Sequence, residues 1–258
     1  MADYDIIGSI AIIKSEKDGY RKSKSQTLKE AQELLKRPHI KTVLQKATDV
    51  KGRLRTFKTK YLAGEKNLIA IHKENACLFK LNVETCYFSP RQATDRKNLA
   101  QTIKKKDRVL VMFAGIGAYP IVIKKLANPK YITAIEISKE CTKYALENRK
   151  LNRIKEDELT IIQGDVKNKT PKEKFDVIVM TRPNLKTTFL KPALSAAKKG
   201  TIIFYQGFSH EDMLLTLKQQ LIDEAKTLKR KIKIIQVHKA GVIAPHKYRY
   251  RLKIKVEN

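Results

Sequence analysis

The sequence predicts an α/β fold: a parallel, doubly wound sheet over residues 101–258, preceded by a small α+β domain over residues 1–100. Three observations carry the prediction. From Arg108 onward, strand-like and helix-like segments alternate. The first of those strands, Val109-Leu110-Val111-Met112-Phe113, is an unbroken apolar run, as expected of a strand buried on both faces. A turn of small residues, Phe113-Ala114-Gly115-Ile116-Gly117, follows it directly.

The elements are justified in chain order. Ile6 to Ile13 is apolar and β-branched and reads as one strand with a glycine inside it. Thr27 to Lys36 places Leu28, Ala31, Leu34 and Leu35 at helical spacing, and Pro38 stops the helix. Leu68–Ile71, Ala76–Leu81 and Glu84–Phe88 are short strand-like runs. Arg91 to Lys106 is a polar, basic, helix-like connector. After the apolar run at Val109 come a helix, a strand at Tyr131–Ile137 and a helix at Lys139–Leu151. Strands at Leu159–Gln163 and Phe175–Met180, a helix at Leu190–Lys198 and a strand at Thr201–Tyr205 continue the alternation. A long helix over Asp212–Arg230 precedes two alternating runs, Lys231–Val237 and Tyr248–Val256, that read as a closing antiparallel pair.

Composition narrows the function. Of 258 residues, 42% are apolar and 31% charged, which excludes a disordered tail and a membrane-embedded chain. No apolar run reaches the ~18–20 residues of a spanning helix. The start, Met1-Ala-Asp-Tyr-Asp, lacks a signal-peptide pattern. Lys and Arg number 55 against 26 Asp and Glu, a net charge of +29. Such an excess repels itself unless a polyanion uses it, so nucleic acid is the leading partner and an anionic membrane surface the second. A merely Lys-rich, thermophile-like surface would have raised Glu along with Lys. Cys77, Cys86 and Cys141 are odd in number and lack metal-ligand spacing, so a reduced cytoplasmic protein without a metal site is expected.

The chemistry concentrates at the ends of the predicted parallel strands, where open α/β sheets bind ligands. Gly115 and Gly117 let a ligand approach the backbone. Glu136 ends the second strand, where an acid holds both hydroxyls of a ribose. Asp165 ends the third, where an acid or its neighbours meet an adenine edge. Either acid alone is equally a loop-start or capping residue. Together the set resembles S-adenosylmethionine-dependent methyltransferases, and the resemblance implies Phe113, Ala114, Gly115, Gly117, Glu136, Ile137, Asp165 and Val166 as cofactor-binding residues. A nicotinamide dinucleotide site would want a third glycine where Pro120 stands. The fourth strand ends in Met180-Thr181-Arg182-Pro183-Asn184, a partial match to the Asn-Pro-Pro-like or Asn-Leu-Pro-like tetrads that meet the edge of a target base. A plain Pro-containing turn is the alternative there.

At a wider scale the chain resembles the archaeal and eukaryotic tRNA (guanine-37 N1)-methyltransferases. The resemblance runs from Tyr4-Asp5-Ile6-Ile7-Gly8-Ser9-Ile10-Ala11 through Thr42-Val43-Leu44, Gly52-Arg53-Leu54-Arg55 and His72-Lys73-Glu74-Asn75. It continues through Tyr87-Phe88-Ser89-Pro90-Arg91 and Met112–Gly117 to Met180-Thr181-Arg182-Pro183. It implies a Rossmann-like class I methyltransferase domain after the small α+β domain, without the family's usual N-terminal elbow-reading domain. It further implies methyl transfer from S-adenosylmethionine to N1 of guanosine 37 of tRNA, with a tricyclic wyosine intermediate as a second substrate. Arg91, Thr181 and Pro183 are the implied catalytic residues, the anticodon loop the partner, and a cytoplasmic monomer the expected state. N1 carries a proton that a base must remove; Glu136, Asp165 and an acid of the first domain are all open for that role. Val111 stands where the family has Asp, and Thr181 where it has Asn. Two rivals follow: the wyosine-pathway aminocarboxypropyltransferases on the same scaffold, and a tRNA-binding protein that has lost catalysis. The former carry Phe-Ser-x-Gly-Asn at Phe88-Ser89-Pro90-Arg91 and lack the proline matching Pro183, which favours methyl transfer.

Overall fold

The apolar stretch at the start does not make one strand. In the computed structural model, which describes residues 4–14, 23–48 and 52–258, it folds back on itself as β1 (Tyr4–Ile7) and β2 (Ile10–Ile13), an antiparallel pair. The reversal sits at Gly8, whose φ is +58°. A Cβ there would stand 2.4 Å from the carbonyl oxygen of Ile71, so only glycine allows this turn to rest on the neighbouring backbone. The chain start Met1–Asp3 lies outside the described residues.

Helix α1 (Lys24–Leu35) begins three residues before the apolar spacing, because Ser23 and Gln26 form a reciprocal capping box. β3 (Thr42–Lys46) pairs parallel with β2, and β4 (Thr59–Gly64) antiparallel with β3, giving a sheet of order β1-β2-β3-β4. β5 (Ile69–Glu74) and β6 (Cys77–Asn82) form a separate hairpin. The expected strand at Glu84–Phe88 is instead a turn running into irregular chain. Asn82 causes it: its side-chain oxygen accepts from the amides of Glu84 and Thr85 at 2.9 and 3.3 Å, an alternative to ladder pairing. The expected long connector helix is a 3-10 turn at Pro90–Gln92 followed by α2 (Ala93–Ala100). It is not a solvated rod, since Asp95, Arg96 and Leu99 are all buried.

The remainder follows the predicted alternation: β7 (Arg108–Met112), α3 (Ala118–Ala127), β8 (Tyr131–Glu136), α4 (Lys139–Leu151), β9 (Leu159–Gln163), the short α5 (Val166–Lys169), β10 (Phe175–Met180), α6 (Leu190–Ser195), β11 (Ala197–His210) and α7 (Leu214–Thr227). β12 (Ile232–Ala244) and β13 (Lys247–Val256) close the fold as an antiparallel pair longer than the sequence pattern suggests. The seven strands lie in the order β12-β13-β11-β10-β7-β8-β9, parallel from β11 to β9. The winding direction reverses between β7 and β10, and the crevice at their carboxyl ends is where such sheets bind ligands.

Val109 and Val111 of β7 pack on one face, while Leu110 and Met112 pack on the other. That is why the run is apolar without alternation. The first face shares a single cluster with Ile7, Ile10 and Leu44 of the small sheet and with Phe79 and Leu81 of the hairpin. Helix α4 also closes the free side of β6. The amide groups of Asn148 and Asn152 each donate to and accept from the backbone of Lys80 and Leu78, at 2.7–3.0 Å.

Candidate active site

Hydrogen bonds stitch the carboxyl ends of four adjacent strands together. After β7 the chain turns through Phe113 and Gly115, at φ +65° and +56°, to Gly117 at +85°, which starts α3. The Gly115 amide donates to Oε2 of Glu136 at 2.7 Å, and the Ala114 amide to the Ile135 carbonyl at 2.9 Å. The Gly164 amide donates to the backbone carbonyl of Glu136 at 2.7 Å, bringing in the end of β9. The Thr181 hydroxyl faces the carbonyls of Phe113 and Met112 at 2.8 and 3.1 Å, bringing in β10.

Glu136 is the most tightly held of these groups. Its Oε1 accepts from the Ser138 amide at 2.8 Å, so each carboxylate oxygen already takes one backbone N–H. Only 8% of the residue is exposed. Burial pushes its carboxyl above the usual range, against the opposing pull of the Ser138 and Gly115 amides. A carboxylate offers about four lone-pair sites, so capacity remains for a hydroxyl donor. The space above Gly115 is open: a Cβ placed there would meet nothing closer than the Tyr87 carbonyl oxygen at 4.0 Å. A fixed carboxylate beside an uncovered backbone turn suits a nucleoside whose ribose lies against the turn. Ile137 lies on the same loop, its carbonyl accepting from Gln163 at 3.0 Å.

Asp165 caps the short helix that Val166 begins, accepting from the Lys167 amide at 3.0 Å. Its other oxygen takes a 2.5 Å bond from Arg53, a residue 112 positions away on the loop between β3 and β4. Burial raises the Asp165 carboxyl, but the Lys167 amide and the Arg53 guanidinium together hold it below the usual range. Two residues on, the Arg55 guanidinium lies 3.5 Å from the centre of the Tyr87 ring. Arg53 and Arg55 stood within the motif that carries the family resemblance, yet nothing local marked them for this edge. The alternation of two basic residues after a glycine was the available signal.

The target-base candidates divide. Thr181 turns its hydroxyl back into the sheet, Pro183 is buried and Asn184 is exposed. Between them Arg182, 4% exposed, bonds the carbonyls of Thr187 at 2.8 Å, Gln206 at 3.3 Å and Leu185, and lies over the Tyr205 and Phe208 rings. Burial lowers its pKa, and its contacts make it the clamp of this loop.

Arg91 lies on the 3-10 turn, 41% exposed, with Nε 2.6 Å from Oδ1 of Asp5 on β1. Beneath it runs a buried polar network. Arg96 bonds both oxygens of Glu74 at 2.5 Å, donates to the Ser89 carbonyl at 3.0 Å, and stacks on Phe88. His72 accepts the Gly8 amide on Nδ1 at 3.2 Å, leaving Nε2 toward Glu74 at 3.7 Å. Asp95 takes bonds from Tyr119 at 2.6 Å and from Arg251. The structure thus brings the eight cofactor candidates and Thr181 to one edge, whereas Arg91 is tied to the first sheet through Asp5. Among the described residues no cluster of His, Cys, Asp and Glu is arranged to hold a metal ion, and no helix is long and apolar enough to cross a membrane.

Comparison with known proteins adds the lineage. Residues 70–235 match the TRM5/TYW2 methyltransferase domain, and residues 1–67 the TYW2 N-terminal domain. The chain is 35% identical over 210 residues to the tRNA (guanine(37)-N(1))-methyltransferase Trm5b of Pyrococcus abyssi, covering 81% of this chain but 60% of that protein. It is 31% identical over 302 aligned positions to the tRNA (guanine(37)-N(1))/4-demethylwyosine(37)-methyltransferase Taw22 of Nanoarchaeum equitans, covering 97% of this chain and 98% of that protein. It is also 32% identical to a tRNA(Phe) (4-demethylwyosine(37)-C(7)) aminocarboxypropyltransferase of Methanocaldococcus jannaschii, covering 78% of this chain and 76% of that protein. The crystal structure of Trm5b from Pyrococcus abyssi superposes with a TM-score of 0.86 at 30% identity, covering 99% of this chain and 75% of that one.

Proposed function

The chain belongs to the TRM5/TYW2 methyltransferase domain family, and from that premise we propose that it methylates N1 of guanosine 37 in tRNA, with S-adenosylmethionine as donor. A tricyclic wyosine intermediate at the same position is the second substrate. The observation that carries the proposal is the Gly115–Glu136 bond at the open switch point: a fixed carboxylate beside uncovered backbone, as a nucleoside cofactor requires. The likeness to a methyltransferase named for both substrates, over 98% of that protein, supports the pairing of activities.

Bound S-adenosylmethionine supplies a sulfonium-activated methyl group. This chain's residues do the rest. Glu136 holds the ribose hydroxyls with its remaining acceptor capacity, and Asp165 and the Val166 amide face the adenine edge. Arg91 donates to O6 of guanine, where negative charge builds as the N1 proton leaves. Asp5 is the first-sheet acid that stands beside Arg91, and it takes that proton. The pair presents a donor next to an acceptor, complementary to the adjacent O6 acceptor and N1–H donor of guanine. Thr181 and Arg182 keep the loop rigid, and Pro183 shapes the floor. Alignment then supplies much of the remaining acceleration.

Aminocarboxypropyl transfer is the competing reaction, because an enzyme named for it is nearly as similar. Arg91 and Pro183 speak against it. Mass analysis of nucleosides from unmodified tRNA and from tRNA carrying 4-demethylwyosine, each incubated with the protein and S-adenosylmethionine, decides. A methylated guanosine at position 37 is expected. An aminocarboxypropyl adduct, or unmodified tRNA from protein that binds it well, overturns the proposal.

A further inference from the structure

We propose that the Arg53–Asp165 pair is a latch that cofactor binding opens, so that cofactor and RNA bind cooperatively through one arginine. The inference rests on the reading of Asp165 as the acid that meets adenine. Both of its oxygens are already engaged, one by the Lys167 amide and one by Arg53. The amide bond belongs to the same short loop and stays. The Arg53 bond is the exchangeable one. It joins side chains that are 47% and 21% exposed, and solvent screens a pair of that kind to a small net stabilisation. An adenine amine arriving at the same oxygen, with the rest of the nucleoside bound against the glycine turn, displaces it at little cost.

The displaced guanidinium does not drift away. Its loop is pinned a second time, two residues along, by Arg55 on the Tyr87 ring, and the Tyr87 carbonyl borders Gly115. Arg53 is therefore left, newly unpaired, at the rim between the first sheet and the carboxyl edge of the large one. In a chain of net charge +29 most cations meet RNA with or without cofactor. Arg53 is the cation whose availability the cofactor site controls. Its ligand in the open state is an RNA phosphodiester. By linkage, RNA bound to a freed Arg53 must in turn tighten the cofactor by the same factor.

The test uses the full chain, S-adenosylhomocysteine and an unmodified tRNA transcript. Expected for the wild type is a several-fold gain in tRNA affinity on adding S-adenosylhomocysteine. The log–log salt plot should also steepen by about one ion, as one more phosphate contact requires. In Arg53→Ala both effects disappear, while calorimetry shows the cofactor analogue binding at least as tightly as before. A merely structural arginine would weaken it. In Asp165→Asn the latch is permanently open: tRNA binds more tightly without cofactor, and cofactor affinity falls. Two outcomes overturn the latch alone: no coupling in the wild type, or coupling that survives in Arg53→Ala while Asp165→Asn still weakens the cofactor. If Asp165→Asn binds cofactor like the wild type, the adenine assignment itself fails.

Discussion

Ion pairs occupy two settings around Ser89-Pro90-Arg91, and burial separates what they do. Behind the segment, Arg96 and Glu74 are 3% and 5% exposed, and Arg96 also donates to the Ser89 carbonyl. In front, Arg91 and Asp5 are 41% and 34% exposed, much like Arg53 and Asp165. The bond lengths are nearly equal, 2.5 Å against 2.6 Å. Bond length alone would rank the pairs alike. Dielectric environment does not: the buried pair cannot exchange its partner for water, whereas the rim pairs can. The hidden pair is a strut and the visible ones are hands.

The largest effect should come from breaking the strut. Arg96→Leu leaves the Glu74 carboxylate buried without its cation, and such losses cost about 3–5 kcal/mol. Chemical denaturation should show this, with Arg96→Leu/Glu74→Leu recovering much of it. A cost under ~1 kcal/mol would put both settings on the same footing. Next is Arg91→Ala. Removing a transition-state charge stabiliser costs about 10²–10³ in rate, so single-turnover methylation should collapse while the denaturation midpoint barely moves. If stability falls and rate does not, Arg91 is a strut too. Glu136→Ala follows. Loss of its charge-assisted contacts to ribose should weaken S-adenosylhomocysteine by ~1.5–3 kcal/mol in calorimetry.

The smallest effect is on acid stability. Burial raises the Glu74 carboxyl, but its bonds to His72 and Arg96 outweigh this and hold it below 4.5. A depressed carboxylate stabilises above its unfolded value and loses that contribution as pH falls through the folded one. The stability gap between wild type and Glu74→Gln should therefore close as pH falls below 4.5 and through the depressed folded value. Glu136 has the opposite sign: raised by burial, its contribution is full in acid and lost as pH rises through the folded value. A gap that stays constant into acid would show that Glu74 carries no special charge interaction.

Legibility followed the range of the cause. Leu159–Gln163, Phe175–Met180 and Lys139–Leu151 have in the structure the bounds that the sequence pattern predicts, because apolar continuity and the Ser138 cap are local signals. The places of Glu136 and Asp165 at strand ends were legible because strand ends announce themselves. Gly8 was not read as a reversal, since its flanks are equally apolar and the reason lies at Ile71. Strand β4 escaped notice because most of its residues are only partly buried or exposed, with no periodic apolar face. The Arg53–Asp165 bond spans 112 residues and has no sequence period at all. Thr181 shows the limit from the other side: its position was legible, but the direction of its hydroxyl depends on carbonyls of another strand.

The asparagines of α4 have a bearing on life in a crowded cell. A two-stranded hairpin normally exposes a ladder of unpaired amides and carbonyls, which a strand from another molecule can extend. Asn148 and Asn152 occupy that ladder at Lys80 and Leu78 with side-chain amides that mimic a peptide bond. An amide on a helix ends where a strand would continue, so the edge is saturated without offering the next one. The β6 edge is thereby guarded against intermolecular β-stacking by two side chains of one helix.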